Sequence, residues 1–134
     1  MGIVKITESA IARSKPPKAG WNYVKVEAYG ESDSKDKKSI NRVFDLIIIK
    51  SPQGDDQLGR YCYARFNSLA DGMMVSSGFL PACFDKSVDD FEPLEFDPKD
   101  LIGKEMWCET YDGTYQGKIQ KKTERFTAPG EVPF

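Results

Sequence analysis

Apolar and polar residues alternate in short runs along most of this chain, and a period of two is what a half-buried β-strand requires. From Asn22 to Tyr29, Val24, Val26 and Ala28 fall on one side and Tyr23, Lys25, Glu27 and Tyr29 on the other. Arg42 to Lys50 is a second run, and its consecutive Ile47, Ile48 and Ile49 predict deeper burial toward its end. Gly59 to Asn67 is a third, with Tyr61, Tyr63 and Arg65 opposite Cys62, Ala64 and Phe66. Two further runs flank Asp112-Gly113, a pair that favours the positive φ angles of a tight turn. Residues 104–126 therefore read as a β-hairpin.

Between the third and fourth runs the rhythm breaks. Residues 68–86 carry large apolar groups at helical spacings, but Gly72, Gly78 and Pro81 restrict them to one or two short turns. Asp97-Pro98 has the form of an N-cap followed by proline at the first helical position, which predicts one helical turn over 96–103. The polar run 31–39 reads as a loop, and residues 51–59 as a turn-rich connection. Residues 9–20, with Pro16-Pro17, read as irregular, and Gly2 to Thr7 as a short strand or loose chain.

The resulting organisation is an N-terminal extension at 1–19, one domain at 20–127 and a tail at 128–134. Three strands, a partly helical connector and two more strands match a mainly all-β domain, a five-stranded Greek-key barrel of the OB type with a short helical connector between strands 3 and 4. A five-stranded open sheet or another small barrel would give the same string.

The chain has 134 residues, the length of one domain with a substantial core. It contains no histidine, which removes the commonest general base and the usual catalytic dyads and triads. Cys62, Cys83 and Cys108 are scattered without a CxxC spacing and fit reduced core thiols. Glycine-rich phosphate loops are absent, and Asp89-Asp90-x-Glu92 lacks the glycine and spacing of a calcium loop. No catalytic residue, metal or cofactor is expected, and the chain reads as a binding protein. It has no apolar run of membrane-spanning length and no signal-peptide centre, so a soluble, cytoplasmic protein without membrane association is expected.

Charge is unevenly distributed. The formal net charge is −2, yet residues 85–100 hold seven acids against Lys86 and Lys99, a local −5. Residues 115–127 hold Lys118, Lys121, Lys122 and Arg125 against Glu124 alone, a local +3. An acidic chain is a poor general coat for duplex DNA, but its net charge does not argue against a groove whose basic charge is local. Cations beside flat rings suit an unpaired strand, because phosphates attract charge and bases stack on rings. Tyr23, Tyr61, Tyr63 and Trp107 are the candidate stacking residues. Lys25, Arg60, Arg65, Lys118, Lys121, Lys122 and Arg125 are the candidate phosphate contacts. The structural alternatives are tyrosines that cap a core, a charged edge strand that resists aggregation, and an acidic segment that is a solvated loop.

Three short motifs resemble a known family. Gly20-Trp21-x-Tyr23, Leu58-Gly59-Arg60 and Leu101-Ile102-Gly103-Lys104 resemble small phage proteins encoded near replication and recombination genes, over roughly residues 20–127. The resemblance implies an OB fold and single-stranded DNA binding. The ending Glu131-Val132-Pro133-Phe134 is similar to the tip by which bacterial single-stranded DNA-binding proteins recruit partner enzymes. That likeness implies a partner site at Pro133 and Phe134, with the Phe134 ring in an apolar pocket. The chain departs from this pattern in having one acid, Glu131, and almost no spacer.

The sequence thus predicts non-enzymatic, largely sequence-independent binding of single-stranded DNA in replication or recombination. Replication or recombination proteins are possible partners through the tip, and a homo-oligomer is possible. The alternative is a phage protein-interaction module, or inhibitor of a host enzyme, using the acidic 85–100 surface.

Overall fold

The alternating runs become five strands: β1 (Gly20–Asp33), β2 (Ile40–Lys50), β3 (Tyr61–Asn67), β4 (Glu105–Tyr115) and β5 (Lys118–Thr127). In the computed structural model of the chain, residues 2–115 and 117–134 are described, those at 113–115 and 118–124 by their backbone alone. The strands form one antiparallel sheet in the order β3-β2-β1-β4-β5. The first three make a meander. β4 then returns to β1, pairing Gly20 with Thr110 through Lys25 with Glu105. β3 and β5 are the outer strands and approach each other without a hydrogen-bonded ladder among the described residues. The sheet is therefore open, and the closed barrel expected from the strand count is not formed.

One face of this curled sheet is the core. Val24 and Val26 of β1, Phe44, Leu46 and Ile48 of β2, Cys62, Ala64 and Phe66 of β3, Met106 and Cys108 of β4 and Phe126 of β5 all point into it. Two short helices, α2 (Met73–Ser76) and α3 (Phe79–Cys83), fill the space between β3 and β4 in the chain order. Phe79 of α3 is fully buried and is the hub of the aromatic packing. Its ring centroid lies 4.8 Å from Phe44, 5.3 Å from Phe66 and 5.0 Å from Phe126, so it joins β2, β3 and β5. Replacing such a ring by alanine typically costs about 3–5 kcal/mol. The Phe126 N–H donates to the Ser77 carbonyl (3.2 Å), which ties the outer edge of β5 to the connector. All three cysteines are free and buried. Cys62 and Cys108 meet across the core, which pushes the Cys108 thiol well above its ordinary range through their hydrogen bond and burial.

The turn before β4 follows its sequence signal. Residues Pro98–Leu101 form one 3-10 turn, and Asp97 Oδ1 accepts from the Lys99 N–H at 3.0 Å. Three expectations are corrected. Asp112-Gly113 is not the hairpin turn: Asp112 lies opposite Lys121 and Gly113 opposite Gln120, and pairing continues to Tyr115 opposite Lys118. The turn lies beyond them and uses Gly117 (φ +78°), a glycine that meets the same conformational need after several further ladder pairs have formed. Ile47 and Ile49 are only half-buried, because strict alternation puts Leu46 and Ile48 inward and leaves their neighbours on the opposite face.

Finally, the leading segment is not wholly irregular. Residues Glu8–Ser14 form α1, where Thr7 Oγ1 accepts from the Ala10 N–H (3.0 Å). Pro16-Pro17 follow the helix and do not prevent it. Lys18 donates its N–H to Gln57 Oε1 (2.8 Å), docking this segment on the connection between β2 and β3. Among the described residues no helix is long and apolar enough to cross a membrane.

Candidate nucleic-acid interface

The face of the sheet opposite the core is built by the residues that alternate with core positions. Tyr61 of β3, Ile47 of β2, Lys25 of β1 and Glu105 of β4 stand opposite one another in register and form one row across four strands. The next row toward one end is Tyr63, Asp45 and Ala28, followed by Arg65, Val43 and Gly30. Toward the other end, Tyr23 is opposite both Trp107 and Lys50.

Tyr61, Tyr63 and Arg65 share this face. The Tyr61 and Tyr63 rings are nearly parallel, with centroids 6.4 Å apart and planes at 18°. This separation follows from the i, i+2 repeat of an extended strand. Tyr63 is 55% exposed. Interaction with Glu27 on β1 first, then some burial, raises the Tyr61 pKa above the usual phenol value. Lys25 and Arg65 are exposed near the two tyrosines.

Tyr23 and Trp107 form a second aromatic group, with edge-on rings 5.0 Å apart. It is covered, and Tyr23 is only 8% exposed. Lys50 Nζ sits 4.9 Å from the centroid of the Tyr23 ring on one side, and Phe134 packs against Trp107. Burial first, then a hydrogen bond to Glu105, raises the Tyr23 pKa. The Trp107 Nε1–H is buried with no acceptor among the described residues. Pro133 and Phe134 thus fold back on the sheet instead of projecting from it, although Phe134 is 68% exposed.

The candidate cations separate into three groups. Lys25 and Arg65 lie on the Tyr61–Tyr63 face. Arg60 does not: it is 9% exposed, donates from Nη1 to the Pro16 carbonyl (3.1 Å) and lies 4.0 Å from Asp56. Alternating with Cys62, it lies off the tyrosine face and is held against the leading segment by Pro16 and Asp56. Arg125 packs over Trp21 at 5.6 Å and pairs with Glu109 at 2.6 Å. The side chains of Lys118, Lys121 and Lys122 lie outside the described residues. Their backbone belongs to a ribbon that runs past the end of β1, since β1 pairs with β4 only as far as Thr110.

Some contributors were missed in the sequence. Asp45 and Ile47 join the face because they alternate with Phe44, Leu46 and Ile48, a signal obscured by the run of three isoleucines. Lys50 reaches Tyr23 only through the register shift between Tyr23 and Val24, which strand periodicity does not reveal. Beside β5, an open groove of about 590 Å³ is lined by Trp21, Met73, Val88, Arg125, Phe126 and Pro133, among others. Of the acidic segment, Phe91 and Phe96 pack against the body, whereas Leu94 is exposed. No protein-family model matches the chain, and no curated protein is significantly similar to it.

Proposed function

We propose that this chain is a non-enzymatic single-stranded DNA-binding protein of phage or bacterial origin, serving replication or recombination, and that its curled sheet is an OB-type arrangement. Three features support the fold. Strands 1 to 3 form a meander, strand 4 returns to strand 1, and short helices separate strands 3 and 4. The proximity of the two edge strands β3 and β5 supports a partly open barrel, although no ladder joins them among the described residues. In such folds the face of strands 2 and 3 takes oligonucleotides, bounded by the loops after strands 1 and 4. Here that face holds Tyr61 and Tyr63, and the β4–β5 ribbon extends past the sheet to one side.

The observation that carries the reading is the Tyr61–Tyr63 pair, two parallel rings on an outer strand with Lys25 and Arg65 on the same face. Rings of this kind stack bases of any sequence, each contributing about 1–3 kcal/mol, while the cations meet the backbone. Fluorescence anisotropy at low salt, comparing labelled single-stranded DNA with the same sequence as duplex, tests it. Preferential binding of the single strand is expected. Equal affinity for both forms, or none for either, would defeat the proposal.

A further inference from the structure

We infer that Asp45 reads the edge of a stacked base, so that the Tyr61–Tyr63 face favours cytosine over thymine. This rests on the reading of that face as the single-strand site, and it adds a base preference to it.

Asp45 is half-buried on the outer face, directly across from Tyr63 on β3 and from Ala28 on β1. Several other carboxylates on or beside the sheet are engaged. Glu27 acts on the Tyr61 hydroxyl, Glu105 acts on that of Tyr23, and Glu109 pairs with Arg125. Glu31 and Asp71 both pair with Arg42. Among the described residues Asp45 has neither a hydrogen-bond donor nor a cation within ion-pair distance, although Lys25 and Arg65 share its face. Its charge does reach the Tyr61 hydroxyl, whose proton it helps to retain.

A carboxylate in this position works against phosphate binding, so a surface that only held a backbone would gain nothing from it. An ionised carboxylate accepts hydrogen bonds and donates none. Residues opposite each other across two strands are about 4.5–5.5 Å apart. A base stacked on the Tyr63 ring therefore carries its edge over Asp45, above the small Ala28 side chain. Cytosine presents its N4 amine there, the group that Asp and Glu accept from, whereas thymine presents the O4 carbonyl, which repels a carboxylate. The two bases share a pyrimidine ring and the same backbone, so stacking and phosphate contacts are matched between them. Asp45 supplies the difference.

The experiment measures anisotropy of labelled oligo-dC and oligo-dT of equal length with the full chain at neutral pH and two salt concentrations. Oligo-dC is expected to bind at least about fivefold tighter. The ratio should hold as salt rises, because the edge contact releases no counterion. In Asp45→Asn and Asp45→Ala the ratio should fall to about one, mainly through tighter oligo-dT binding. Equal affinities in the unaltered chain, or a ratio that survives both substitutions, would overturn the inference and leave single-strand binding standing. If neither oligomer binds at low salt, the site reading fails and Asp45 with it.

Discussion

Phe134 stands edge-on to Trp107, with ring centroids 5.2 Å apart and planes at 88°. The contact closes the group that contains Tyr23 and Lys50, and it shelters an indole N–H that has no acceptor among the described residues. Phe134→Ala should let water reach that group at a cost of about 0.5–1.5 kcal/mol, the worth of one aromatic pair. In a Trp21→Phe background Trp107 is the single remaining indole, so its emission and quenching report directly. Unchanged emission and quencher access would show that the ring does not cover Trp107. Single-strand affinity should not fall, because the Tyr61–Tyr63 face is untouched.

Tyr63→Ala should weaken single-strand binding by about 1–3 kcal/mol and barely change the melting temperature. The ring is largely exposed and belongs to no core cluster, so its removal leaves no cavity. Binding isotherms and thermal melts of the same preparation separate the two effects. A large drop in melting temperature with intact affinity would assign the ring to stability.

Lys25→Ala and Arg65→Ala should each flatten the salt dependence. A single-strand contact contributes about 0.7 to the slope of log affinity against log salt, so each substitution should remove about that much. Arg60→Ala is the contrast: it should leave the slope alone and loosen the leading segment held through Pro16. A slope change for Arg60→Ala equal to that for Lys25→Ala would contradict its assignment.

Gly78→Ala should destabilise the domain by about 1–3 kcal/mol. Gly78 has φ +88°, and a Cβ there would collide with the Phe126 carbonyl oxygen. That backbone cannot yield easily, because the neighbouring Ser77 carbonyl accepts from the Phe126 N–H. Urea titration measures the loss, and a midpoint equal to that of the unaltered chain would refute the close approach.

Alkaline pH should destabilise the protein. Burial pushes the Cys83 thiol from 9.0 up to about 12, and Tyr23, Tyr29 and Tyr61 are all raised above 10.0. Groups raised in the folded state add stability that is complete below their unfolded values and is lost as pH climbs toward the folded ones. Stability should therefore decline from about pH 9 to about pH 12, each group adding up to about 1.4 kcal/mol per pH unit. Cys83→Ala should reduce that slope in denaturant titrations between those pH values. An unaltered slope would mean that Cys83 ionises equally easily in both states.

The strands were legible because alternation is a local property. Val24, Val26, Cys62, Ala64 and Phe66 point inward as their spacing requires, and the Asp97-Pro98 turn forms where its cap demands. Positions that depend on a partner strand were not legible. Asp112-Gly113 has the composition of a turn, but its place in the hairpin depends on how far β4 and β5 can pair, with Gly117 offering a second site. Arg60, two residues before Cys62, falls by alternation on the side opposite Tyr61, but its partner Pro16 comes from the distant leading segment and was not legible.

The basic, aromatic character of the outer strands was written in the chain, and so was their identity as strands, since both follow from residue type and a period of two. Which rings remain open was a tertiary decision. Tyr23 and Tyr61 alternate onto the same face with the same chemistry, yet Lys50, Trp107 and Phe134 enclose one and leave the other beside an exposed Tyr63. Those neighbours come from distant parts of the sequence. They meet only after β4 returns to β1 and the last residues fold across the sheet, and burial depends on that assembly rather than on any local pattern.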